Sequence, residues 1–448
     1  MREAHPAELP LGLEFYGSEA DGTGGRLRRD PESFRVREIE DVDPEPAGAD
    51  AADYNYLLVR ATLADWDTNA FARALSNRLG ISRNRIAWAG TKDKRAVTTQ
   101  LVTIAGIEAA GLPDIDGVEL EPVGRLGRPL EFGDLVGNRF EVTVAEPEQP
   151  GQAAAVTADL REFGGVPAPD RASDGDGRIG IPNYFGHQRF GSIRPVTHVV
   201  GRRIVRRDWE GAVMAYLGSP TEDEPPDTQA ARAFVEETRD WAAAAERFPT
   251  GLTYERTLCL ELAGADADSP AAFRRALDAL PWNLRRLFVN AVQSEAFNRI
   301  LSRRLERGLP FDRAVEGDVV CFGDLADGFA VPDTDSRQRV TADRVETVNR
   351  HVERGRAFVT APLVGTDTEL GEGDPGEIER GVLKDLELAP DQFDLPDPYH
   401  STGTRRTVLL QTTVDVEVDP LVFRFALPAG AYATVLLREY LKVGPQSL

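Results

Sequence analysis

The strand-forming part of this chain comes in two pieces, and a fold must bring them together. Strand and short-helix patterning fills residues 1–208, Ala-rich helical segments follow from about Trp209, and strands return from 403 to 448. A β-rich start, a helical middle and a β-rich end describe one domain built from 1–208 and 403–448, interrupted by an insertion at 209–402. No internal repeat is evident. A chain of 448 residues is long enough for two or three sizeable cores.

Local signals support an α+β reading of the first part. Phe34 and Val36 alternate with Arg35 and Arg37, as in a strand with one buried face. Residues 54–63 read as a second strand, with Tyr54, Tyr56 and Leu58 on one face. A helix follows, with Asp67 or Thr68 as N-cap, Phe71, Leu75 and Leu79 at four-residue spacing, and Gly80 as its stop. Residues 86–88, 101–107 and 140–146 read as strands, and 152–165 as a helix closed by glycines. The stretch 166–180 reads as an acidic loop, and 365–382 is Gly- and Glu-rich. The longest helical pattern runs over 282–308. At the end, 408–410, 414–418 and 421–425 read as strands before a helix bearing Arg438.

Two stretches carry chemistry. The first is WAGTKDKRAVTTQ, residues 88–100, where Asp93 lies between Lys92 and Lys94 with Arg95 following. Neighbouring cations favour the ionised carboxylate, and Gly90 lets the backbone turn. Such an aspartate suits a nucleophile or a general base, and the same residues also suit a solvated charged turn. The second is IPNYFGHQRFGSIRP, residues 181–195. Aromatic-Gly pairs among Asn183, His187, Gln188 and Arg189 suit a pocket that stacks a base and bonds its edge, or an aromatic-stabilised loop. His187 has no partner at metal-ligand spacing.

Composition enters as a boundary. Net charge is −22, and only four of 52 cations are lysine. Acidic residues distributed along the whole chain match a protein of a high-salt cytoplasm. In molar salt the Debye length is about 3 Å, so local arginine placement outweighs the total when nucleic acid is the partner. Two cysteines without pair spacing argue against a zinc ribbon or disulfide scaffold. The N-terminus has no apolar signal core, and no apolar run reaches a membrane span. A soluble cytoplasmic protein is expected.

Five segments together resemble the TruD family of tRNA pseudouridine synthases: GTGGRLRRDPESFRVREI (22–39), AGTKDKRAVTTQ (89–100), PNYFGHQRFG (182–191), FVNAVQSEAFNRIL (288–301) and LPAGAYATVLLRE (427–439). Their order is the family's. The resemblance implies the pseudouridine synthase α+β fold, with a mixed β-sheet and a helical-rich TRUD insertion domain. It implies isomerisation of a uridine in tRNA, usually uridine 13, by a monomer with no cofactor and no metal. The family's nucleophile falls on Asp93, and its substrate-binding positions on Phe34, Asn183, Phe185 and Tyr432. Its carboxylate-pairing cation falls on Arg28. Relatives often carry Lys at that position and Phe at that of Tyr432. The competing expectation is a non-catalytic tRNA-binding or chaperone protein on the same fold.

Overall fold

The computed structural model describes residues 2–50, 53–92, 94–166, 177–191, 193–264, 269–326 and 328–448. Asp93 therefore lies outside the described residues. The strands, in chain order, are β1 (Phe34–Glu40), β2 (Tyr56–Ala64), β3 (Ile86–Trp88), β4 (Val97–Ala105), β5 (Val118–Leu126), β6 (Leu135–Thr143), β7 (Arg178–Pro182), β8 (Val319–Ala326), β9 (Phe329–Arg339), β10 (Ala357–Leu363), β11 (Thr404–Thr407), β12 (Leu409–Val418) and β13 (Leu421–Pro428).

The larger sheet runs β5-β2-β4-β1-β6-β13-β12-β7, with β3 also paired to β4. It draws on both ends of the chain. All of its pairs are antiparallel except β1 with β4, so the sheet is mixed. That parallel pair is short. Arg35–Arg37 run beside Val97–Thr99, and at Val102–Ile104 β4 pairs with β3 instead. The turn containing Lys92 connects β3 to β4 where β1 and β4 part.

β1 forms as its alternation dictates, with Phe34, Val36 and Glu38 inward and Arg35 and Arg37 outward. Phe34 meets Phe140 edge-on at 6.2 Å, and Phe140 stacks on Phe425 at 5.1 Å, so three strands share one aromatic seam. β2 differs from a strand with one apolar face. Leu57, Val59, Ala61 and Leu63 bury into one cluster while Leu58 joins Leu101 and Leu130 in another. A central strand is covered on both sides, so alternation is lost.

The helix Thr68–Leu79 packs Phe71 and Leu75 into the β2 cluster. Its cap is Asp67, whose side chain accepts from the Ala70 N–H at 2.9 Å, a bond that contributes about 1 kcal/mol. Gly80 ends it in the left-handed region at φ +63°. Thr68, freed from capping, has another partner described below.

A second sheet, ordered β11-β10-β8-β9 and antiparallel throughout, is built from residues 319–407. The chain passes from β11 in this sheet to β12 in the larger one through Val408 alone. Val408 donates its N–H to the Val359 carbonyl at 3.0 Å, and its own carbonyl accepts from the Asn183 N–H at 2.9 Å. The two sheets are thus tied at the segment that carries Asn183. Behind it runs the long helix Trp282–Glu306, buried at Phe288, Val292, Phe297 and Leu301.

The helix Thr197–Val205 packs against that long helix and buries His198 to 3 % exposure. Burial, with Arg202, Arg299 and His187 nearby, pulls its pKa down from 6.5 to about 3. Between those values the unfolded chain takes up a proton that the folded one refuses. The stabilising effect of a neutral His198 is complete above pH 6.5 and declines as pH falls toward 3, at about 1.4 kcal/mol per pH unit. Urea unfolding of His198→Leu should show a shallower loss of stability between pH 7 and 5 than the parent protein. Parallel curves would remove His198 as the source.

Candidate active site

The turn before β4 is pinned from three directions. The Lys92 N–H donates to the Thr68 hydroxyl at 2.9 Å, which itself donates to Gln100 Oε1 at 3.2 Å. The Lys92 ammonium donates to Glu38 Oε1 at 2.5 Å. The Ala89 carbonyl accepts from the Gly133 N–H at 2.9 Å. Glu38 is 4 % exposed, and its other oxygen accepts from the Leu101 N–H at 3.0 Å.

Lys92 and Lys94 flank Asp93 in the chain, but Lys92 is paired with the buried Glu38 across the sheet, and Lys94 and Arg95 are exposed. Glu38 was legible in principle. It continues the inward positions of Phe34 and Val36 by two residues, and a carboxylate on a buried strand face calls for a cation.

Arg28 follows Leu27 with a positive φ of +57°. Its guanidinium sits 4.6 Å from the centre of the Phe34 ring, a cation-π contact. The Phe34 side chain itself is 3 % exposed. Arg28 also lines a cleft together with Glu8, Gly186, His187, Gln188 and Thr434. One wall is thus the loop after β7, and another is the start of the helix Ala433–Leu441. A Cβ at Gly186 would crowd Gln188 Oε1 at 3.0 Å and Tyr432 Cδ1 at 3.2 Å, so the wall is closely packed here. Thr434 donates to Gln188 Oε1 at 2.9 Å and fastens the two walls.

Beyond this wall lie Asn183, Phe185 and Tyr432. Tyr432 is the N-cap residue of the last helix, and its ring meets that of Phe185 edge-on at 6.0 Å. Phe185 is 4 % exposed, also edge-on to Phe297 at 5.6 Å. Its backbone is gripped by Asn298 of the long helix, which accepts from its N–H at 2.8 Å and donates to its carbonyl at 3.0 Å. The Asn183 amide is occupied by the protein itself. Its Nδ2 donates to the Thr407 carbonyl and hydroxyl, both at 2.9 Å, and its Oδ1 accepts from Arg406 at 2.6 Å.

Arg406 is the residue that sequence reasoning missed. It lies 4.3 Å over the Phe185 ring, and burial brings its pKa down to about 10, with the Tyr432 phenol opposing the fall and Arg189 adding to it. The segment GTRRTVLL gives no local sign of this role, since the contact to Asn183 spans 223 residues.

The structure thus gathers Arg28 with Phe34 at the cleft, and Asn183, Phe185 and Tyr432 around Arg406 beyond its Gly186–Gln188 wall. Among the described residues no His/Cys/Asp/Glu group could hold a metal ion. No helix among them is long and apolar enough to cross a membrane.

A mixed α+β sheet with a cleft lined by Arg28 and Arg438 at one helix end fits a pseudouridine synthase. The family model described as tRNA pseudouridine synthase D (TruD) matches residues 10–440. A relative from Halobacterium salinarum, named as probable tRNA pseudouridine synthase D, is 56 % identical over 450 residues and covers all of both chains. One of the same name from Natronomonas pharaonis is 54 % identical, again over all of both. The crystal structure of a Methanosarcina mazei protein assigned to TruD superposes with a TM-score of 0.82 at 39 % identity, covering 100 % of each chain. The chain belongs to the TruD family of tRNA pseudouridine synthases. Its acidic, arginine-dominated composition fits the halophiles that supply the first two relatives.

Proposed function

We propose that this protein isomerises uridine 13 of tRNA to pseudouridine, acting as a cytoplasmic monomer with Asp93 as nucleophile. The observation that carries the reading is the cleft. Its Arg28 guanidinium sits on the Phe34 ring, and a second aromatic-cation pair, Phe185 with Arg406, lies behind the Gly186–Gln188 wall, within a family match over nearly the whole chain. The reaction breaks the bond from uracil N1 to the ribose C1′, rotates the base and rejoins it through C5. The target base first leaves its stack. Asp93 then attacks C1′ or removes a proton from C2′. Arg28 holds the carboxylate ionised and aimed. Phe34, Phe185 and Tyr432 keep the detached base from leaving. Asn183 acts through Arg406, because both ends of its amide are already bonded. Residues 209–402 form an insertion domain carrying much of the helical mass and the strands β8, β9 and β10 of the second sheet, and RNA lies between it and the larger sheet.

Unmodified tRNA transcripts incubated with the protein in high-salt buffer should acquire pseudouridine at position 13. Product at another uridine would keep the chemistry and change the target. Binding without product on any transcript would favour the non-catalytic RNA-binding alternative.

A further inference from the structure

We propose that Arg406, assisted by Arg189, is an anion-binding site for an oxygen of the target nucleotide. Six buried arginines each have a carboxylate partner, Arg125 with Glu108, Arg194 and Arg232 with Glu224, Arg304 with Asp318, Arg405 with Glu379, and Arg438 with Glu8, while Arg406 is half-buried. A guanidinium taken out of water needs such a partner. Arg406 has none among the described residues. Its Nε donates to the Asn183 carbonyl at 3.2 Å, Nη1 to the Gly430 carbonyl at 3.2 Å and Nη2 to Asn183 Oδ1 at 2.6 Å, and all three acceptors are neutral. Three of its five N–H groups are thereby used and the plane is fixed. The two that remain have no protein acceptor among the described residues.

A second cation borders the same ring and acts on Arg406 electrostatically. Arg189 lies 5.4 Å from the centre of the same Phe185 ring, and its Nε is buried without a hydrogen-bond partner. Two like charges placed together, each short of an acceptor, are stabilised by an anion between or beside them. Rigid guanidinium donors match anionic oxygens with two-point geometry.

The proposal rests on the assignment of this cleft to the reaction, and two anionic oxygens of one substrate qualify. One belongs to the phosphodiester next to the target uridine. The other is a carbonyl oxygen of uracil after the C1′–N1 bond has broken, when the bonding electron pair remains on the base and makes it an anion.

Steady-state kinetics and RNA binding of Arg406→Gln, Arg406→Lys and Arg189→Gln separate these sources. A phosphodiester contact predicts a roughly tenfold rise in KM and Kd for Arg406→Gln, nearly unchanged kcat, and a log–log salt slope shallower by about 0.7–0.9. A contact to the uracil anion predicts kcat lower by about 10²-fold with Kd unchanged, because the charge develops only as the bond breaks. In either case Arg406→Lys recovers part of the loss. Folded Arg406→Gln with parental kcat, KM and Kd would overturn the proposal. Should Arg406→Gln fail to fold, Arg189→Gln decides, since Arg189 makes no side-chain hydrogen bond among the described residues. Its expected effect has the same kind and a smaller size, and parental kinetics in that variant would then count against the site. The same assay on Asp93→Asn guards the underlying reading: an active Asp93→Asn protein would undermine the reaction assignment, whereas parental Arg406 and Arg189 variants beside an inactive Asp93→Asn would sink the anion site alone.

Discussion

Asp93→Asn is expected to abolish pseudouridine formation, lowering the rate by at least about 10⁴-fold, while leaving tRNA affinity within about twofold. An amide neither attacks C1′ nor accepts the C2′ proton, so both routes open to a carboxylate close together. Size and shape stay almost the same, so binding contacts made by the cleft persist. The expected pattern is therefore a collapse of kcat with Kd preserved. Single-turnover assays on transcript, with filter binding alongside, distinguish this from a fold defect. Turnover above a few per cent in the variant would remove Asp93 as the nucleophile. Equal loss of binding and rate would make it a structural residue instead.

Prediction of the site from sequence works where chemistry is local. The motif around Asp93 is continuous, and the helix after β2 announces itself through Asp67, its apolar spacing and Gly80. What stays hidden lies across long separations. Glu38 meets Lys92 over 54 residues, and Arg406 meets Asn183 over 223. No spacing rule sees such pairs, although buried-face alternation marks Glu38. Among elements, β5 escapes a sequence reading because it is an edge strand with Pro122 and several exposed positions, which dilute its period. β7 reads as loop because Gly180 and Pro182 punctuate it, yet it gains its bonds from β12, more than 200 residues on. The helix Gly373–Asp385 contains three glycines and a proline, so its composition disfavours a helix. Burial of Ile378, Val382 and Leu383 against the core decides otherwise, as tertiary packing commonly does over propensity. β4 begins at Val97, earlier than its apolar run, because Thr98 and Gln100 are polar residues on buried strand positions.

Breaking the Glu38–Lys92 pair is expected to have the largest effect on stability of any single change near the cleft. Among the described residues, the Glu38 carboxylate keeps only the Leu101 N–H in Lys92→Met, and in Glu38→Gln the largely buried Lys92 ammonium loses the Glu38 counter-charge. Removal of one partner of a buried pair costs about 3–5 kcal/mol. The double variant Glu38→Gln/Lys92→Met removes both charges, and the amide oxygen it places on β1 can still accept from the Leu101 N–H. It should recover most of that stability, since replacing both charges can be nearly neutral. Activity separates the two roles of the pair. Lys92 is the residue next to Asp93, and its backbone is fixed at Thr68 while its side chain is fixed at Glu38. If the pair also aims the turn, the double variant regains its denaturant midpoint but keeps a kcat depressed by about tenfold or more, because small displacements of a reacting group are expensive in rate. Parental kcat in a restored double variant would show that the pair serves the fold alone, leaving the hydrogen bond between Lys92 N–H and Thr68 as the positioning contact of the turn.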